Sequence, residues 1–309
     1  MSSPLADTTS PARLRECLVG ANPIVWSNDD FEELSGDVPL DTILAEMRAA
    51  GFVGTELGHA YPRTAPELAG ALARHRLRLA SGWHSTHLAT RLYAEEEEAF
   101  RRHLDLLGPL GATVAIVAEC SHAIHGDRAA PLGFGADDRH TLVSEEWTHL
   151  ADGLERFAAV GAEQGMKVVY HHHMGTVIQT EVELDRLLAA VPSLHLLLDP
   201  GHLAFAGIDP LRVLEKHGPR VAHVHLKSVR ADVVRRVREE RWSFCRAVTE
   251  GVFTIAGDGA VDFPAVFANL AALDYRGWLV VEAEEDPSRV PAFPKARRAR
   301  DYVRAQTGA

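Results

Sequence analysis

The sequence predicts one (β/α)₈ TIM barrel, and three observations carry that reading. Eight short aliphatic and β-branched runs alternate with longer segments of helical periodicity. Histidines and acids gather where those runs end. No GxGxxG follows the first run, so the open, dinucleotide-binding version of the same alternation loses its main support.

The expected strands are 18–25 (LVGANPIV), 52–57 (FVGTEL), 78–83 (RLASGW), 113–119 (TVAIVAE), 167–171 (KVVYH), 195–199 (HLLLD), 221–226 (VAHVHL) and 278–283 (WLVVEA). They are short and almost continuously apolar, as strands of a parallel sheet covered on both faces should be. Between the first two, Leu40, Ile43, Leu44 and Met47 make one helical stripe that Gly51 stops. AEEEEAFRRHLDLLGPLGA gives a charged outer face with apolar residues three and four apart. Thr180 and Glu183 have capping-box spacing, and the helix they open ends before Pro192. Asp262 is the expected N-cap of another helix, with Pro264 in its first turn.

Two connections, 120–143 and 227–261, are far longer than ordinary loops. Both follow strand C-termini, the face where barrels carry their sites, and the second is expected to contain a short helix, VVRRVREERW. Without an internal repeat or a linker, residues 1–309 read as one domain, with a polar leader over 1–17 and a C-terminal helix or tail over 288–309.

Composition narrows the function classes. A formal net charge of -11 over 309 residues argues against nucleic acid or an anionic membrane as partner. Cys17, Cys120 and Cys245 are too few and too scattered for a disulfide framework. With no apolar signal core and no run long enough to span a bilayer, the expectation is a soluble cytoplasmic protein, compatible with a homo-oligomer. The unusual number is 17 histidines, the side chain most used for binding metals and moving protons near neutral pH.

Position gives those histidines meaning. Glu56 and His59 follow strand 2, Trp83, His84 and His87 strand 3, and Glu119 ends strand 4. His171, His172 and His173 end strand 5, and Asp199 with His202 ends strand 6. His223, His225 and Lys227 lie along strand 7, and Glu282 and Glu284 end strand 8. Such ends converge on one bowl, and His, Asp and Glu together make a divalent-metal site. Alternation puts His171 and His173 on one face and His172 on the other, so at least one of the three is structural.

LLLDPGHLAFAGIDPL, HVHLK and GWLVVEAEEDP resemble the sugar phosphate isomerase/epimerase superfamily, the xylose-isomerase-like barrels. That resemblance implies Asp199, His225 and Glu282 as metal ligands, with His202 contacting substrate. NPIVWSNDD, GFVGTELG, YHHHMGTVIQTEVELDRLL and WSFCRAVTEGVFTIAGDGAVDF are more specifically similar to the myo-inosose-2 dehydratases, over most of residues 20–287. This implies dehydration of 2-keto-myo-inositol, a small polyhydroxylated cyclic ketone, to a trihydroxycyclohexane-dione, with Mn²⁺ or Co²⁺, in inositol catabolism. Pro200 departs from the small polar residue usual in relatives, and Ser228 from an acid.

His171 or His173 is expected to complete the metal set, and the substrate contacts are expected from Trp26, Asn28, Glu56, Glu119 and Arg230. The epimerases of the superfamily pair a strand-5 glutamate with the strand-8 glutamate as opposed bases, and here His171 takes the strand-5 place. One base and one acid suit elimination better than epimerisation. Glu282 or a histidine is the expected base, His202 or His84 the acid, and Lys227 adds charge near the enolate. The alternatives on the same barrel are a ketose isomerase or 3-epimerase and a 3-dehydroshikimate-type dehydratase. A non-catalytic binding protein and a three-metal nuclease fit the acidic, ligand-rich chain less well.

Overall fold

In the computed structural model, which describes residues 11–28, 31, 38–135, 138–286 and 289–309, eight parallel strands close into a ring. They are β1 (Leu18–Ala21), β2 (Gly54–Leu57), β3 (Arg78–Thr86), β4 (Val114–Glu119), β5 (Lys167–His171), β6 (His195–Leu198), β7 (Val221–Val229) and β9 (Trp278–Val281). Closure comes from β1 pairing with both β2 and β9, and from β7 pairing with both β6 and β9. Each of the eight overlaps a run expected from the sequence, with β3 and β7 running three residues past the expected ends, to Thr86 and Val229. The first ten residues of the expected polar leader lie outside the described residues.

Helices surround the ring: α1 (Leu40–Ala50), α2 (Ala65–His75), α3 (Tyr93–Leu107), α4 (Ser144–Glu163), α5 (Glu181–Ala190), α6 (Pro200–Ala206), α7 (Pro210–His217), α8 (Ala231–Glu240), α9 (Phe244–Thr249), α10 (Phe263–Ala272) and α11 (Ala292–Thr307). Their ends follow local chemistry. Gly51 closes α1 at φ 97°, in the left-handed region where glycine carries no Cβ penalty. Thr180 and Glu183 form the expected reciprocal capping box at α5, and the Asp262 carboxylate accepts from Ala265 N at α10. None of the described helices is long and apolar enough to cross a membrane.

Two differences from the sequence reading bear on the site. β1 stops at Ala21 rather than continuing to residue 25. Asn22 accepts from Ile24 N and starts a 3₁₀ turn, and Pro23 has no N–H to offer a ladder. The long connection after β7 holds the expected helix as α8, and also a short strand, β8 (Phe253–Ile255), antiparallel to the end of β7. That strand was not foreseen, because its three residues give no alternation to read.

Strand alternation divides the chemistry. Outward residues such as Val168, Tyr170, Leu196, Leu198, Val224, Leu226, Leu279 and Val281 join the large core under the helices. Inward positions change character along each strand. Val169 is followed two residues on by His171 and then His173, Leu197 by Asp199, and Trp278 and Val280 by Glu282 and Glu284. The N-terminal half of the lumen is therefore apolar, with Val114, Ile116, Val169 and Leu197 in one cluster and Ala80, Trp278 and Val280 in another. The C-terminal half is ionisable.

Candidate metal centre and active site

The C-terminal mouth opens into a cleft of about 410 Å³, lined by Asn22, Glu56, His59, Arg63, Trp83, Ser85, His125, His171, His173, His225, Glu282 and Glu284 among others. Another cavity of about 460 Å³ lies at the opposite mouth, around Thr113, Lys167, Arg276 and Trp278, and none of the candidate metal-ligand groups is there.

Asp199 stands at the centre of the ionisable layer. Its Oδ1 accepts from His202 N at 2.9 Å and so caps α6. Its Oδ2 is buried without an aligned hydrogen bond, facing Lys227 Nζ at 3.2 Å and His171 Nε2 and His225 Nδ1 at 3.6 Å each. His225 Nδ1 is 2.6 Å from Glu282 Oε2. Separations of 3.6 Å are too long for hydrogen bonds and suit neighbouring ligands of one ion, whose bonds run about 2.0–2.2 Å for carboxylate and imidazole. The orphaned oxygen and the His/Asp/His/Glu donor set thus fit a divalent ion.

The neighbours fix which nitrogen each ring would present. His171 Nδ1 is 2.6 Å from His172 O, which leaves Nε2 facing Asp199. His225 Nε2 is 3.1 Å from Glu56 Oε1, which leaves Nδ1 for the ion. Glu56 Oε1 also meets His223 Nε2 at 2.6 Å, and its Oε2 accepts from Asn22 Nδ2 at 2.7 Å. Burial works against ionising Glu56, but His225 and His223 outweigh it and hold the carboxyl well below the usual range. Burial likewise opposes charge on Asp199 and on Lys227. Lys227 nevertheless keeps Asp199 ionised, and Asp199, Glu282 and Glu284 raise the Lys227 ammonium well above its ordinary value. Lys227 Nζ donates to Glu282 Oε1 at 2.5 Å and Glu284 Oε1 at 2.6 Å. Gly201 makes that approach sterically open, since a Cβ there would meet Lys227 Cγ at 2.6 Å.

Beside this group lies a second one, His173, His202 and Glu284. His173 Nδ1 donates to Met174 O at 2.8 Å, so its Nε2 is the nitrogen open to proton exchange at the cleft. Met174 N donates to His202 Nδ1 at 3.3 Å, which puts the proton of neutral His202 on Nε2, 3.3 Å from Glu284 Oε1.

The structure gathers His171, His173, His225 and Glu282 at the cleft, with Asp199, His202 and Lys227 immediately behind them. Glu56 also lines the cleft, but its oxygens are engaged, so it acts through Asn22, His223 and His225.

Five expectations are corrected. His84 points out of the barrel, with its ring 5.4 Å from Phe100 and 6.3 Å from Phe157, while Trp83 and Ser85 of the same strand face the cleft. Its adjacency in sequence to Trp83 concealed the alternation. Trp26 is buried in the main core and donates Nε1–H to Glu46 Oε2 at 2.6 Å. Asn28 accepts from Phe31 N, and Asn22, six residues earlier, reaches the cleft instead. Glu119 is consumed as a loop pin, accepting from Thr86 Oγ1, Leu88 N and Ser121 N. Arg230 braces β8 through Gly251 O, Phe253 O and Thr254 Oγ1, and meets Glu285 at 3.0 Å.

Asn22, Arg63, Ser85 and His125 were missed. Asn22 could have been found from Asn-Pro at the end of the first apolar run, the usual mark of a strand that stops. His125 carried no signal beyond membership of a long connection after a strand.

The xylose isomerase-like TIM barrel family model matches residues 35–306. Inosose dehydratase of Geobacillus thermodenitrificans is 47% identical over 292 residues, 94% of this chain and 97% of that one. The Bacillus thuringiensis and Clostridium beijerinckii inosose dehydratases are 43% and 41% identical over the same shares. Among solved structures, D-allulose 3-epimerase from Methylomonas sp. in complex with D-allulose superposes with TM-score 0.66 at 19% identity, covering 94% of this chain and 97% of that one. A probable 3-DHS dehydratase from Bacillus anthracis gives TM-score 0.68 at 15% identity, covering 93% and 98%. At such identities these two speak for the fold alone. The chain belongs to the xylose isomerase-like TIM barrel family and, within it, to the inosose dehydratases.

Proposed function

We propose that this protein is a metal-dependent hydro-lyase that eliminates water from 2-keto-myo-inositol to give a trihydroxycyclohexane-1,2-dione, a step of inositol catabolism. The observation that carries the reading is the buried His171–Asp199–His225–Glu282 set at the floor of a polar cleft, in a chain 47% identical along almost its whole length to an inosose dehydratase. Those four residues would hold the ion, with Mn²⁺ or Co²⁺ matching a mixed imidazole and carboxylate set. When bound, such an ion supplies Lewis acidity toward a ketone oxygen and the hydroxyl beside it.

The chain's own residues do the rest. Glu282 is the carboxylate that reaches the cleft and removes the α-proton, and Lys227 behind it donates to its Oε1 at 2.5 Å and holds it in place. The strand-5 position opposite it carries imidazole, so no second carboxylate base returns a proton there. For the leaving hydroxyl, His173 replaces His202 and His84 as the proton-transfer group, because its Nε2 lines the cleft. Burial, with His202 and His125 beside it, favours the neutral ring with its proton on Nδ1, so Nε2 takes up a proton before handing one to the hydroxyl. A doubly protonated His202 would turn an N–H against the Met174 N–H it now accepts from. His202 therefore orients Glu284. Arg63 lines the rim as a hydrogen-bond donor for substrate hydroxyls, Asn22 beside it spends its NH₂ on Glu56 and Glu282, and Trp83 offers a flat apolar face.

The test is direct. Protein loaded with Mn²⁺ or Co²⁺ should convert 2-keto-myo-inositol to a product with the ultraviolet absorbance of a conjugated enol-dione, and chelation should abolish turnover. Proton exchange without loss of water would show an epimerase or isomerase instead.

A further inference from the structure

We propose that His122, His140 and Glu146 form a second metal site, outside the cleft, for a borderline divalent ion of the Zn²⁺ class. His122 Nε2 lies 2.9 Å from Glu146 Oε1, and His140 Nε2 lies 3.2 Å from Glu146 Oε2. The imidazoles stack at 3.8 Å between centroids and 27° between planes, so both present Nε2 to one carboxylate from the same side. One ligand atom from each of the three lies within 4.8 Å of the others. Two imidazoles and a carboxylate are a zinc donor set with three protein ligands. Side-chain exposures of 36% and 39% for the histidines leave a fourth, solvent-facing position open to water.

Backbone geometry adds a second observation. His122 adopts φ 57°, a left-handed conformation that is costly for a residue with a Cβ, and this turn sends its ring back onto His140. The two histidines stand at opposite ends of the 120–143 connection, and Glu146 lies in the first turn of α4 immediately after it. An ion there would staple the base of that connection. The same segment ties Ile124 N to Gly175 O at 2.7 Å, carries His125 to within 5.1 Å of His173, and binds Leu132 N to Trp242 O at 2.8 Å. The staple would thus steady one wall of the cleft without touching its chemistry.

The experiment compares the full-length chain with His140→Gln, by equilibrium dialysis against Zn²⁺ and metal analysis. Glu146 is left intact because it also accepts from Val143 N and caps α4. The parent should bind one more Zn²⁺ per chain than the variant, whatever the cleft itself binds, with that site weakened at least about tenfold by loss of a ligand. Zn²⁺ should also slow tryptic cleavage after the exposed Arg128 in the parent and not in the variant. Equal stoichiometry and affinity in the two proteins, with matching melting curves, would overturn the proposal.

Discussion

Glu56→Gln is the smallest change that should disturb both the fold and the site. Glu56 Oε1 serves His223 Nε2 and His225 Nε2, and Oε2 serves Asn22 Nδ2, so every partner is a donor. A glutamine offers one acceptor oxygen and one NH₂ group. If its oxygen keeps the two histidines, the NH₂ meets the Asn22 NH₂; if it keeps Asn22, the NH₂ meets two ring N–H groups. In either orientation at least one buried donor loses its acceptor, at about 1–3 kcal/mol. The lost charge has a second effect. Glu56 holds the proton of His225 on Nε2, and freeing that ring to take the other tautomer would put N–H on the ligand nitrogen. Metal-site supports of this kind change affinity about 10- to 100-fold. Chemical denaturation in chelator should therefore show the stability loss, and Mn²⁺ titration of the folded variant the affinity loss. Parental stability together with parental Mn²⁺ affinity would refute the assignment of Glu56 as the group that sets the His225 tautomer.

Three further outcomes follow from the same geometry. His171→Ala should lose Mn²⁺ at least about tenfold while His173→Ala keeps it and loses turnover, because only His171 faces Asp199; the reverse in metal analysis would reassign the strand-5 ligand. Lys227→Met removes the ammonium that neutralises Asp199, Glu282 and Glu284, so chelated protein should be destabilised by about 3–5 kcal/mol in denaturant, and Mn²⁺ should recover part of it. Burial pushes His84 down to about 3 from 6.5, so the folded state prefers the neutral ring. That preference is fully present above pH 6.5 and is lost as pH falls toward 3, at ~1.4 kcal/mol per pH unit for one proton. His84→Leu should flatten the acid limb of stability by this slope and leave turnover at neutral pH intact; a variant without activity would return His84 to the site.

The barrel is legible in the chain alone, because each strand carries its own evidence. Runs such as HLLLD and WLVVEA are apolar on both faces, and only a parallel sheet wrapped by helices buries both. The chain also placed Asp199, His225, Glu282 and the strand-5 histidines at one end, since strand termini of a closed barrel converge whatever the details. Caps were equally local: Thr180 with Glu183, and Asp262, needed nothing beyond neighbours three residues away. Which side of each strand faces inward, and which polar groups are already spent, emerges only when the chain is folded. His84 and Trp83 are adjacent in the chain, and the irregular register between β2 and β3 helps set which one enters the lumen. Glu119 and Arg230 have the residue types and positions of substrate contacts, yet backbone partners distant in sequence engage both. A one-dimensional pattern carries periodicity and endings. It does not carry the competition among donors and acceptors for a buried charged group, and at this site that competition assigns the roles.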